Sequence, residues 1–207
     1  SSFKTDTWQR TGGGGGTTKV LSNTICEKAG VNTSYVHGEI TSSEAPMFQQ
    51  LLQKVAPTAK LHSNAIFQAT GLSLVIHPKN PFVPTVHANY RYFELDNKNQ
   101  KIWWIGGGAD LTPYYLFDED ATHFHTVHKQ VCDQYQPNAY QLFKQKCDEY
   151  FYIPHRRETR GIGGIFFDYL NDDFDQLFEF ISNASNAFID AYIPILEKRK
   201  DTPYTDT

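Results

Sequence analysis

Two short stretches hold most of the side chains that could do chemistry. Residues 72–77 and 87–95 are rich in Val, Ile, Tyr and Phe and read as β-strands. Side chains alternate faces along a strand. Ser73, Val75 and His77 therefore share one face of the first, and His87, Asn89, Arg91 and Phe93 share one face of the second. If the two strands pair, these faces merge into one polar floor carrying two imidazoles, an amide, a hydroxyl and a guanidinium. The plainer alternative is a solvated sheet face. Against it, water-facing strand positions favour Thr, Lys, Glu and Ser over His and Asn. The connection 78–86 also carries three prolines, a stiff and long link where ordinary hairpins use short ones.

Other candidates lie further along the chain. His77, His87, His125 and His155 together invite a metal reading, since neutral imidazole is a common transition-metal ligand. Their local spacings match no standard ligand motif. Asp168 closes the apolar strand 165–168, and a carboxylate at the end of a buried strand must be paired, hydrogen-bonded or used. Asp110 follows the glycine triplet 106–108 and reads either as an Asx-turn or helix cap or as a placed carboxylate. The five glycines 12–16 lack the Gly-Lys-Ser/Thr ending of a phosphate loop. They form either a linker or a backbone approached closely.

The elements that must position these residues follow a simple order. Strands are expected at 19–26 and 31–39 around a Lys28-Ala29-Gly30 turn, then a short helix near 47–55, the two strands above, a turn at 96–99, and a strand 101–105 broken by the glycine triplet. Helices are expected at 118–135, 140–152 and 172–200, with Asp118 capping the first and Pro194 kinking the last. Strands gather early and helices late, the pattern of an α+β domain with a mainly antiparallel sheet. The chain of 207 residues carries 40% hydrophobic residues, enough for one good core, and its 14% aromatics allow a lining for a flat ligand. A net charge of −4 argues against general nucleic-acid binding. Cys26, Cys132 and Cys147 form no CxxC pair and read as buried thiols of a reducing compartment. No apolar run approaches the length of a membrane span, and no signal peptide is visible.

Longer motifs carry a resemblance. GLSLVIHP, NPFVPTVHANYR, WWIGGGADLTPYY, CDEYFY, RGIGGIFFDYL and AGVNTSYVHGE, collinear from about Trp8 to Tyr204, are similar to oxygen-dependent coproporphyrinogen-III oxidases. The resemblance implies a broad antiparallel sheet flanked by helices on both sides, with a deep cleft. It implies oxidative decarboxylation of two propionates of coproporphyrinogen III to vinyl groups. Oxygen would be consumed and protoporphyrinogen IX, carbon dioxide and hydrogen peroxide released, without an organic cofactor. His87 is similar to the family's proton donor. Ser73, Asn89, Tyr90 and Arg91 match substrate-contacting positions, and Asp168 matches an acidic position near the tetrapyrrole. His77, His87, His125 and His155 match histidines for which a divalent metal has been proposed. The family continues beyond residue 207 with a segment that contacts substrate and forms a homodimer, so 1–207 is expected to be one domain lacking that part. The expected compartment is the cytoplasm, or the mitochondrial intermembrane space for a eukaryotic source. Two other readings are a metal-dependent oxygenase and a non-enzymatic tetrapyrrole-binding module.

Overall fold

The computed structural model describes residues 2–98 and 100–205. Nine strands and four helices follow one another along them: β1 (Lys4–Gln9), β2 (Gly14–Leu21), β3 (Cys26–Glu39), α1 (Ala45–Val55), β4 (Ile66–Pro78), β5 (Thr85–Asp96), β6 (Lys101–Thr112), α2 (Asp118–Tyr135), α3 (Ala139–Tyr150), β7 (Tyr152–Ile153), β8 (Glu158–Thr159), β9 (Gly163–Leu170) and α4 (Phe174–Arg199). The seven long strands form one sheet in the order β1-β2-β3-β4-β5-β6-β9, and every neighbouring pair is antiparallel. Strands β7 and β8 form a separate two-stranded hairpin. The α+β expectation holds, with helices on both sheet faces.

Strand alternation decides what each face meets. On one face Val86, Ala88 and Tyr90 of β5, Ile105, Ala109 and Leu111 of β6, and Ile165 and Phe167 of β9 are buried with residues of α2, α3 and α4. Phe143 of α3 and Phe180 of α4 close on Phe167 at ring distances of 5.2 and 5.0 Å. Each such fully buried side chain contributes about 1.5–3 kcal/mol. On the opposite face a smaller core forms at one end, where Phe48 and Leu52 of α1 cover Phe67, Leu95, Ile102 and Trp104. The rest of that face carries His87, Asn89 and Arg91.

Several expected boundaries move. The Lys28-Ala29-Gly30 turn is instead part of β3, and the chain reverses just before it, where the Asn23 side chain accepts from the amides of Ile25 and Cys26. The glycine triplet does not end its strand: β6 runs through it to Thr112, because an inner strand is bonded on both sides by backbone groups that glycine also possesses. Part of the glycine run 12–16 is likewise strand, since Gly14, Gly15 and Gly16 belong to β2. Helix α2 begins at Asp118, with Phe117 in the capping position. Helix α4 is capped by Asp173, whose carboxylate accepts from the Gln176 amide at 2.9 Å, and continues past Pro194. The expected turn at 96–99 ends on Asn99, which lies outside the described residues.

Candidate active site

Antiparallel pairing sets the floor. Directly opposite residues share a sheet face, and the register places Asn89 between Ser73 and Gly108, Arg91 between Gly71 and Gly106, and His87 between Val75 and Asp110. The polar floor expected from alternation is therefore present, with Ser73 beside Asn89. A cavity of about 270 Å³ lies over it, lined by His87, Asn89, Arg91, Asp110, Arg160 and the aromatics Tyr150, Phe151 and Phe166, among others.

Asp110 organises one half. It is 2% exposed and uses both carboxylate oxygens: Oδ1 accepts from His87 Nδ1 and Oδ2 from Arg160 Nη2, each at 2.7 Å. A buried carboxylate without such partners would cost several kcal/mol in lost hydration. Because a carboxylate only accepts, the bond fixes the proton of a neutral His87 on Nδ1. That leaves Nε2 as the exchangeable position. The Arg160 guanidinium also lies 3.9 Å from the Phe151 ring centroid, and Phe151 meets the His87 ring edge-on. Burial first, then the charge of Asp110, pushes the neighbouring Cys147 thiol up to about 12, so this cysteine stays protonated and unreactive.

Arg91 and Asp168 form the other half. Arg91 Nη2 donates to Asp168 Oδ2 at 2.6 Å and Nη1 to Asn89 Oδ1 at 3.0 Å. The pair must cross β6, which lies between β5 and β9, and Gly106 allows it. A Cβ at that position would run into Asp168 Oδ1 and approach Arg91 Nε to 3.0 Å. An irregularity in β9 aims the carboxylate: pairing shifts between Gly107–Phe167 and Ile105–Leu170, leaving Asp168 and Tyr169 opposite Gly106. Tyr169 takes up a φ of +59° there, and its amide donates to Asp168 Oδ1 at 3.0 Å.

Some expected site residues lie elsewhere. Tyr90 points away from the floor into the core, where its hydroxyl donates to the Ala184 carbonyl at 3.0 Å, so only its backbone belongs to the floor. The four histidines do not converge. His77 sits at the end of β4 with Thr85 Oγ1 at 3.5 Å from its Nδ1. His125 is held between the Ile162 carbonyl, at 3.1 Å from Nε2, and the Tyr140 hydroxyl, at 3.0 Å from Nδ1. Burial, reinforced by Lys144, lowers its pKa. His155 is exposed in the turn between β7 and β8. Among the described residues no three His, Cys, Asp or Glu side chains are grouped to hold a metal ion, so the expected ligand set is not assembled. Sequence reading underweighted Asp110 and missed Arg160, Phe151 and Phe166. The one available signal was a carboxylate two residues after the triplet, in phase with Gly106 and Gly108, had the strand been carried through.

Comparison with known proteins finds relatives along nearly the whole chain. The family described as Coproporphyrinogen III oxidase matches residues 1–207. A chloroplastic oxygen-dependent coproporphyrinogen-III oxidase of Glycine max is 50% identical over 211 residues, covering 99% of this chain and 54% of the relative. The oxygen-dependent enzyme of Prochlorococcus marinus is 46% identical over 99% of the chain and 62% of its own length. The mitochondrial one of Rattus norvegicus is 48% identical over 98% and 46%. The chain thus spans about half the length of the curated relatives it matches. Among the described residues no helix is long and apolar enough to cross a membrane. The chain belongs to the coproporphyrinogen III oxidase family.

Proposed function

We propose that the protein carrying this chain oxidatively decarboxylates two propionates of coproporphyrinogen III to vinyl groups, with oxygen as co-substrate. The observation that carries the reading is the floor itself: a histidine fixed by a buried aspartate beside an arginine–aspartate pair, under an aromatic wall. For each propionate, oxygen and one proton are consumed, a vinyl group is left on the ring, and carbon dioxide and hydrogen peroxide depart. The C–H bond on the carbon next to the pyrrole breaks, its electron pair passes through the electron-rich ring to oxygen, and the C–C bond to the carboxylate supplies the new π bond.

The residues have roles that fit this balance. His87, its Nδ1 fixed by Asp110, manages the proton at Nε2. Arg91 holds a propionate through donors not committed to Asp168 and Asn89. Asp168, paired with Arg91, accepts pyrrole N–H bonds and stabilises positive charge on the ring as it is oxidised. Ser73 and Asn89 supply further polar contacts beside it. No step is routed through a metal, since the histidines do not form a ligand set. The homodimer and the closing of a deep cleft belong to this reading through the family's longer chains, as does a compartment that follows the source.

The test is incubation of the full-length protein with coproporphyrinogen III in air, following protoporphyrin fluorescence after oxidation of the product. Product formation that survives EDTA is expected. Folded protein that binds porphyrin without forming vinyl product would reduce the assignment to a tetrapyrrole-binding module. Loss with EDTA and recovery with one metal would favour the metal-dependent oxygenase.

A further inference from the structure

Between Arg160 and the buried Ile165 the chain has few side chains to hold it. Gly161, Gly163 and Gly164 carry none, and Gly161 and Gly163 take up φ angles of +59° and +73°. A Cβ at Gly161 would stand 2.2 Å from the Leu111 carbonyl oxygen. Backbone bonds must therefore place this segment. The Arg160 amide donates to the Phe151 carbonyl at 3.0 Å, and the Ile162 amide to the Leu111 carbonyl at 3.0 Å, one residue beyond Asp110. The placing matters because Arg160 must stand where its Nη2 meets Asp110 Oδ2 at 2.7 Å.

A further bond comes from the helices packed behind the sheet. His125 of α2 has its Nε2 3.1 Å from the Ile162 carbonyl oxygen, and its Nδ1 lies 3.0 Å from the Tyr140 hydroxyl of α3. A carbonyl oxygen only accepts, so Nε2 carries the proton and Nδ1 accepts from Tyr140. Both ring nitrogens are thus engaged inside the protein, and the ring is set in one tautomer. Neither His125 nor Tyr140 lines the cavity. A continuous path still joins them to it. His125 holds the Ile162 carbonyl, two residues of backbone lead to Arg160, Arg160 bonds Asp110, and Asp110 bonds His87.

We propose that His125, oriented by the Tyr140 hydroxyl, is a positioning residue for the reaction: it anchors the Ile162 carbonyl and so fixes the backbone from which Arg160 holds Asp110 against His87. The inference rests on the reading of the floor as the site of decarboxylation. A histidine suits the task because its two ring nitrogens are rigidly opposed, so a bond on one side aims the bond on the other. An error of a fraction of an ångström at Ile162 passes to Arg160 with no side chain at Gly161 to absorb it.

Kinetics of the full-length protein with coproporphyrinogen III test it. Asparagine brings an amide only to the place of Nδ1, whereas glutamine reaches that of Nε2. His125→Asn is expected to lower kcat about 10–100-fold with KM changed less than about threefold. His125→Gln should recover most of the loss, and Tyr140→Phe should lower kcat about two- to fivefold. In an Arg160→Gln background His125→Asn should cost nothing further, because its effect runs through that arginine. Should His125→Asn not fold, Tyr140→Phe completes the same cycle. Unchanged kcat in the folded single variants, or losses that multiply with Arg160→Gln, overturns the positioning role and leaves a bond that only stabilises the fold. The downfield proton resonance of the His87–Asp110 bond reads the geometry without turnover. It should move in His125→Asn and hold in His125→Gln. Wild-type protein that forms no vinyl product overturns the reading of the reaction, whereas a resonance unmoved in His125→Asn overturns the positioning alone.

Discussion

The two halves of the floor use the same pair of groups, a carboxylate against a guanidinium, and differ in burial. Asp110 is 2% exposed and has both oxygens committed, one of them to His87. Asp168 is 18% exposed, and its partner Arg91 is 40% exposed. A buried, fully bonded carboxylate holds its partners in one geometry, which suits a group that must place a proton. A half-open pair can exchange its bond for one to a ligand, which suits recognition. The contrast predicts that the Asp110 half governs turnover and the Asp168 half governs affinity.

Substitutions on each side should separate the two. Asp110→Asn keeps the shape but can no longer hold His87 in one tautomer or balance Arg160. Turnover of the full-length protein should fall about 10²–10⁴-fold, the range for a lost acid–base function, with KM changed far less. A comparable rise in KM with turnover intact would erase the distinction.

Another histidine sharpens the point about burial. His128 on α2 is fully buried, with Nδ1 donating to the Phe124 carbonyl at 2.9 Å and Nε2 without a partner among the described residues. Burial pushes its pKa down to about 4. The folded protein therefore resists a proton that the unfolded chain accepts below about 6.5. Stability should be unaffected by His128 above that pH and fall as the pH drops towards 4, by about 3 kcal/mol in all. Urea titrations across this range should show the loss, and His128→Leu should flatten it. An unchanged slope in that variant would place the acid sensitivity elsewhere.

Smaller effects are expected on the Arg91 side. Asp168→Asn should raise KM about tenfold while turnover falls less, measured by the same kinetics. Gly106→Ala introduces a methyl group where Asp168 Oδ1 and Arg91 Nε now lie. Both are side-chain ends that can shift, so the fold should persist and the pair should separate, raising KM severalfold. Equal losses of turnover in Gly106→Ala and Asp110→Asn would show one coupled site rather than two halves.

How much of this could be read beforehand depends on the distance over which each feature is set. The floor of β4 and β5 was legible because period-two alternation is local, and their long pairing keeps it in phase. Helix α2 was legible from its apolar stripe and acidic first turn. Asp110 was not, because glycine signals a break when read locally, whereas two paired neighbours hold β6 extended through it. The partnership of Asp110 with Arg160 spans 50 residues and leaves no periodic trace. Tyr90 misled for a related reason. It lies between two floor residues in sequence, and alternation sends its ring to the other face. The histidines shared a residue type but lie on four separate segments, and nothing in their spacing reported that they do not meet.

A double-mutant cycle on His87 and Asp110 tests the central claim most directly, that these two act as one unit. Single-turnover rates of the full-length wild type, His87→Gln, Asp110→Asn and the double variant are required. If Asp110 works through His87, the double variant should be no slower than His87→Gln alone. Losses that add on the logarithmic scale would show that Asp110 acts independently of the histidine it holds, and would contradict the account.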